Sequence, residues 1–388
     1  MPSGSSGRLA PIRLLQLTAF VSTIDRFAMP PMLIAIALDL DASLTSVVQA
    51  AGAYFLAYGL LQPVWGIVSD SIGLVRTMRL TLLCAGLAAV ACSFAWSPLA
   101  LGIARAAAGG FFGAAYPASL IYLGDTVPPD RRQQGITRLM VGVAIGTGSA
   151  SVAGGLIAQL ATWRLAFVLT GVSALVLAWG LRRLPQPEET RTHRNLAAPF
   201  LAVLRSRTAV FVLGLAFLEG AVLLGVLTLL PAAIEAAGAT AAVAGAVTAV
   251  YGVAVFVFAG IVGRLSRRQH PARLIALGSV SALASCAVLT FSRSPVVALL
   301  VTLLLGLAWT AMHSSLQTWA TEVLPSARAA VVSLFAGSLF TGSSLATVAV
   351  ADLADAGDYR TVFLLAGIVA VPLGLLAVWG RARWHRPT

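Results

Sequence analysis

The chain has 388 residues, of which 59% are hydrophobic and only 10% charged. A water-soluble domain carries about 25% charged residues and a disordered chain is poor in apolar ones, so both classes are excluded. The formal charge of +12 comes entirely from arginine, with 26 Arg and no Lys. Such a balance points to nucleic acid or to a membrane, and the position of each Arg decides between them.

Met1–Gly7 is small and polar and reads as an unstructured tail. The first apolar segment, 14–39, is too long for a signal peptide and no small-residue cleavage site follows it, so it reads as an uncleaved first span. Further apolar segments fall at 46–69, 77–96, 98–124, 140–160 and 165–181. A polar stretch, Arg182 to Arg207, precedes six more at 208–231, 241–263, 273–292, 296–321, 330–351 and 361–380. A spanning helix uses about 20 residues, so the expected fold class is an all-α polytopic membrane protein with 12 transmembrane helices. An even number puts both termini on one side. Cys84, Cys92 and Cys286 lie inside apolar runs without metal-ligand spacing and read as inert core thiols.

With the N-terminus inside, 21 of the 26 Arg fall on the cytoplasmic side. Three (Arg164, Arg293, Arg360) fall outside, and two (Arg26, Arg105) fall within spans. This is the positive-inside pattern of a bacterial inner-membrane protein. It accounts for the charge through the lipid bilayer and leaves nucleic acid no role. Trp96 and Trp163 fall near the outer interface and Trp179 and Trp379 near the inner one, where an aromatic belt is expected.

The second half repeats the first. Pro98–Pro128 and Pro295–Pro325 share prolines at both ends, Gly109 with Gly306, and Asp125 with Glu322. Trp163-Arg164-x-x-Phe167 matches Tyr359-Arg360-x-x-Phe363, and Gly66-Ile67-Val68 matches Gly260-Ile261-Val262, at nearly the same offset. The expected organisation is a tail (1–13), a six-helix bundle (14–181), a cytoplasmic linker (182–207), a second six-helix bundle (208–380) and a C-terminal tail (381–388). Parallel halves of this kind build transporters whose site lies at their interface.

The loop after the second segment reads Gly66-Ile-Val-Ser-Asp70-Ser-Ile-Gly73-Leu74-Val-Arg76. It resembles the signature loop of the major facilitator superfamily, G-x-x-x-D-x-x-G-R-x-R, and with the repeat the resemblance covers the chain from residue 13 on. Leu74 stands where the family carries its first basic residue; Arg76 remains, and Asp125, ending the fourth segment, is the matching acid. The resemblance implies that this loop gates the transporter. Asp70 is expected to accept hydrogen bonds from a neighbouring helix N-terminus, that of the eleventh segment, while Gly66 and Gly73 allow close approach. Arg105-x-x-x-Gly109 resembles the family's Arg of the fourth helix. Gly142, Gly146, Ala150 and Gly154 form a small-residue stripe at spacing four, suited to close helix packing. The stretch also resembles the family's antiporter motif, with Ala150-Ser151 in place of Gly-Pro. Gly52, Gly59, Gly66 and Gly73 form a second stripe at spacing seven.

Charges inside spans are costly and mark partners or water-filled cavities. Asp25 and Arg26 are adjacent in the first segment, so they point about 100° apart, and an Asp25–Arg105 pair is within reach. Drug–proton antiporters of the superfamily carry an acid in this helix. Glu219 sits in the middle of the seventh segment with no basic residue near it in sequence, and low dielectric favours its neutral form. In the tenth segment Thr310, His313, Ser314 and Gln317 are spaced to share one helix face. Asp25, Arg26, Arg105, Glu219 and His313 are therefore the candidate proton-coupling and cavity residues.

The sequence lacks the spacing of a metal cluster, a nucleophile elbow and a phosphate-binding glycine loop with Lys. No enzyme activity, cofactor or metal is expected, and transport must use a gradient. The expected function is a secondary active carrier that exports small, largely apolar compounds by exchange with protons, as a monomer in the plasma membrane. A sugar or organic-anion uptake carrier is the alternative, favoured by a basic cavity. A non-transporting membrane sensor of the same fold is the alternative from another class, and counterflow separates it from a carrier.

Overall fold

In lipid no water is available to the backbone, so an apolar segment satisfies its N–H and C=O groups internally by forming a helix. The computed structural model describes residues 9–127, 129–187 and 198–384, without the side chains of 9–11, 70 and 129–133. Among them there are helices and no strands. Twelve helices are long and apolar enough to cross a membrane. In the first half they are span 1 (Ile12–Asp39), span 2 (Leu44–Ser69), span 3 (Leu74–Cys92), span 4 (Pro98–Thr126), span 5 (Gln134–Leu160) and span 6 (Trp163–Arg183). In the second they are span 7 (Arg207–Ala236), span 8 (Ala241–Leu265), span 9 (Pro271–Phe291), span 10 (Pro295–Glu322), span 11 (Pro325–Ala349) and span 12 (Tyr359–Arg383). The chain is a multi-pass membrane protein. A short helix, Ala198–Arg205, precedes span 7. Arg8, Arg191, Arg194 and Arg386 lie outside the described residues.

Local chemistry sets the starts. Ser43, Ser97, Thr162, Ser206 and Thr240 each cap a span by accepting a backbone N–H two or three residues on. Spans 2 and 3 meet at Gly73, whose φ of 95° is accessible to Gly and strained for a side chain.

Both halves use the same neighbour scheme. Spans 2 and 4, 1 and 5, and 3 and 6 pack in the first half; 8 and 10, 7 and 11, and 9 and 12 pack in the second. Two seams join the halves, span 2 against span 11 and span 5 against span 8. The seams close at the end opposite the linker. A Cβ on Gly155 would stand 2.3 Å from the Ala241 carbonyl oxygen, and one on Gly59 would stand 2.7 Å from that of Gly337. The stripe that meets span 11 at Gly52 and Gly59 continues to Gly66, where a Cβ would meet nothing within 4 Å. The helices have diverged there, so the interface is closed at one end and open at the linker end.

Span 7 packs on span 11 through two glycines. A Cβ on Gly220 would lie 1.8 Å from the Leu339 oxygen and one on Gly342 would lie 1.9 Å from the Phe217 oxygen. No side chain fits at either place. Gly142, Gly146 and Gly154 similarly face the backbone of span 1 at Gln16, Phe20 and Ala28, and Ala150 between them is fully buried.

One interfacial expectation is corrected. Trp96, Trp179 and Trp379 are exposed as belt residues should be, but Trp163 is buried. Its indole N–H donates to Asp39 Oδ2 at 3.1 Å and its ring meets Phe167 edge-on. The polar end of the ring has a protein partner and does not need the lipid interface.

Candidate functional site

Asp25 and Arg105 meet. Both are fully buried, and Arg105 Nη1 donates to Asp25 Oδ2 at 2.8 Å. Nη2 donates to the Asp25 backbone oxygen at 3.1 Å, and the Thr170 hydroxyl donates to Oδ1 at 3.0 Å. The guanidinium carbon lies 4.0 Å from the Tyr54 ring centre and 5.0 Å from that of Phe167. Span 1 is thus tied to spans 4 and 6, and each carboxylate oxygen is satisfied. Thr170 and Tyr54 carry no charge or motif, and sequence reasoning passed over them.

Arg26 points elsewhere, as adjacent helical positions must. Its guanidinium carbon lies 4.9 Å from the Tyr58 ring centre, 5.0 Å from Phe27 and 5.3 Å from Phe340 on span 11. Its Nε is buried without a hydrogen-bond partner, and no ion pair to it is present among the described residues. Arg26 therefore reaches the interface between the halves with aromatic faces around it and no carboxylate.

Glu219 has a partner that its sequence neighbourhood conceals. His313 Nδ1 lies 3.1 Å from Glu219 Oε2; the carboxylate is 0% exposed and the imidazole 12%. The other oxygen, Oε1, is buried with no partner. The imidazole stacks on Trp309 at 3.9 Å and lies 5.8 Å from the Phe335 ring. Both helices are distorted here. A π turn, Gly220–Leu224, starts directly after Glu219, and another, Trp309–His313, ends on the histidine. Isolated π turns are rare and concentrate at functional sites. The second one also corrects the shared face expected for Thr310, His313, Ser314 and Gln317, because the extra residue breaks the three-and-four spacing. Thr310 is buried and bonds its own helix at Gly306, while Ser314 and Gln317 are exposed.

Asp25 and Glu219 are also repeat-related. They are 194 residues apart, the offset that relates Gly66 to Gly260. Tyr251 of span 8 lies within electrostatic reach of both Glu219 and Arg26.

The loop after span 2 is less defined. The side chain of Asp70 lies outside the described residues, and no ion pair joins Arg76 to Asp125 among them. Both side chains are exposed, where a lone ion pair gains little. At the equivalent place in the second half, Glu322 is paired with Arg381 at 3.2 Å.

The family model described as Major Facilitator Superfamily matches residues 15–347 and 238–387. The chain is 32% identical over 163 residues to the puromycin resistance protein pur8 of Streptomyces alboniger, covering 42% of this chain and 32% of that one. It is 31% identical over 212 residues to the 3-(3-hydroxy-phenyl)propionate transporter of Escherichia coli (strain K12), covering 54% and 52%. The matches thus span about a third and about half the length of these two relatives. A crystal structure of a bacterial homologue of the human lysosomal transporter Spinster, inward-facing and unoccupied, superposes with a TM-score of 0.79 at 17% identity, covering 98% of this chain and 100% of that one. At that identity the likeness shows the fold alone.

Proposed function

Because this chain belongs to the Major Facilitator Superfamily, we infer that it is a secondary active carrier that exports small, largely apolar compounds in exchange for protons, working by alternating access. The family is one of transporters, not enzymes. The Arg distribution supports a cytoplasmic linker end; on that reading the closed seams lie outside and the arrangement faces inward. The carrying observation is Glu219: a fully buried carboxylate with one oxygen on His313 and the other unpartnered.

With one proton between them, a carboxyl and an imidazole are net neutral. A second proton makes the pair cationic. In a low dielectric that added charge is felt strongly, so proton binding changes what the space between the halves accepts. Asp25 is held by Arg105 and Thr170. Export of a toxic compound is one way to confer the kind of resistance for which the puromycin resistance relative is named. The test is proton-driven transport in proteoliposomes for Glu219→Gln and Asp25→Asn, with equilibrium exchange as control. Glu219→Gln should lose accumulation against a gradient and keep exchange. If both variants still concentrate substrate at the wild-type level, the exchange reading loses its support.

One observation favours a second reading. Arg26, with aromatic faces and no carboxylate partner, suits an aromatic anion, and one relative is named for such a compound. An anion on Arg26 and a proton on Glu219 stabilise each other, so the two would travel together. Accumulation of labelled 3-phenylpropionate driven by an inward proton gradient, lost in Arg26→Gln, supports this reading; expulsion by that gradient excludes it.

A further inference from the structure

The closed end is held by two repeat-related contacts. Asp355, just past span 11, accepts the backbone N–H of Leu44 at 2.7 Å. Leu44 opens span 2 directly after its cap Ser43. Gln159, at the end of span 5, accepts the backbone N–H of Ala242 at 3.1 Å. Ala242 opens span 8 two residues after its cap Thr240. Gln159 and Asp355 are 196 residues apart, the offset that relates Trp163 to Tyr359. Each half therefore sends one side chain across a seam to a helix start in the other half.

The chemistry of the contact explains why it works as a latch. The first N–H groups of a helix have no partner within it, and the helix start carries partial positive charge. An oxygen from the opposite half meets both needs while the seam is closed. When the seam opens, water takes over the N–H groups, so the contact resists opening without preventing it. The two arms differ in one respect: Asp355 is an anion and Gln159 is neutral. A second acid, Asp352, adds a bond from the Thr45 hydroxyl at 2.9 Å on the charged arm, and the Ser344 hydroxyl donates to the Gly52 oxygen at 2.7 Å lower on the same seam.

We propose that Asp355 and Gln159 are the gating residues of the closed end, a matched pair of latches on opposite helix starts, and that the charged arm at Asp355 sets how long the end stays shut. Their role as gates rests on the alternating-access reading; the latches themselves do not. Residues facing Asp355 and its neighbours include Asp352, Asp358, Tyr359 and Glu235 from the second half. The first half presents a helix start, Ser43–Thr45, with the exposed Asp41 two residues before the cap. What crosses the seam is thus a carboxylate placed on the positive end of a helix.

The test reads the gate directly. Spin labels are placed on Leu38→Cys and Phe291→Cys, exposed positions at the closed end of spans 1 and 9, one in each half. Cys84→Ala removes the native thiol that is not buried. The full chain is purified in nanodiscs and the distance distribution recorded. Asp355→Ala should raise the long-distance population about two- to fivefold, the effect of one charge at a helix start. Asp355→Asn keeps an acceptor oxygen and should give a smaller rise. Gln159→Ala should shift the distribution less than Asp355→Ala, and Gln159→Glu should shift it toward the short distance. An unchanged distribution in both Asp355 variants, or a larger shift from Gln159→Ala than from Asp355→Ala, overturns the proposal. Counterflow of the same variants reconstituted in proteoliposomes separates the two layers: a gate that responds without any transport leaves the latches standing and removes the carrier reading, and transport with an unresponsive gate does the reverse.

Discussion

Asp25 and Glu219 occupy matching places in spans 1 and 7, and both are fully buried, yet they are held differently. Asp25 has three donors on two oxygens and its own carbonyl, from a permanent cation and a hydroxyl. Glu219 has one partner, a histidine, and a second oxygen with none. The partners also come from different turns of the matching helices. Arg105 lies early in span 4, whereas His313 lies past the middle of span 10, at the end of a π turn. The same backbone position has become a fixed tie in one half and an adjustable one in the other. Symmetry of fold does not impose symmetry of chemistry.

The sharpest way to break this contrast is to compare stability across the two acids. Removing one member of a buried ion pair leaves the other charge uncompensated and costs about 3–5 kcal/mol. Asp25→Asn and Arg105→Gln should therefore lower the unfolding midpoint in detergent far more than Glu219→Gln, which leaves a neutral imidazole able to bond. Equal losses would erase the distinction. Next in size is Gly220→Ala, beside Glu219, where the added methyl meets the Leu339 carbonyl. Overpacking of this kind costs about 1–3 kcal/mol. If Gly220→Ala folds as stably as wild type, spans 7 and 11 are looser than the packing implies. Loss of the Thr170 hydroxyl, Thr170→Val, should cost about 1 kcal/mol and leave proton-driven transport intact; impaired coupling instead would place Asp25 on the adjustable side. The smallest effect calibrates the others. Asp358 is a fully exposed cap whose hydrogen bond from Thr361, with Arg360 and Arg293 nearby, holds its carboxyl below the usual value. A depressed acid stabilises the fold above its unfolded value, about 3.9, and loses that contribution as pH falls through its folded value. Asp358→Ala should lie slightly below wild type at neutral pH, where that contribution is present, and fall less steeply below about pH 4, so that the two midpoints converge in acid.

Much of the fold was legible because lipid leaves few choices. Length, hydropathy and Arg placement yield twelve spans, and the Pro-to-Pro repeat yields two halves. The Asp25–Arg105 pair was within reach because both charges stand alone in apolar runs. Its companions were not: Thr170 and Tyr54 are ordinary residues until helices 1, 2, 4 and 6 converge on them. Glu219 stood out, but its partner lies 94 residues away, and fixed helical spacing fails at the turn that delivers it. Arg26 and Arg105 look equivalent in a list of charges; only packing shows that one is paired with a carboxylate and the other lies among aromatic rings at the interface. The crossing contacts at Leu44 and Ala242 use backbone N–H groups, which a sequence does not display at all.

The π turns at Gly220–Leu224 and Trp309–His313 have a consequence for insertions and deletions. Each holds one residue more than an α-helix of the same length requires. Deleting a residue from an ordinary helix rotates everything beyond it by about 100° and takes the packed face with it. Deleting Val222 instead lets the turn relax to regular α-helix, so the rest of span 7 keeps its neighbours. Such a shortened chain should insert and stay monodisperse, where deletion of Leu213 one stretch earlier should not. Size-exclusion profiles of the two would show it, and equal loss of both would mean that the extra residue is not spare.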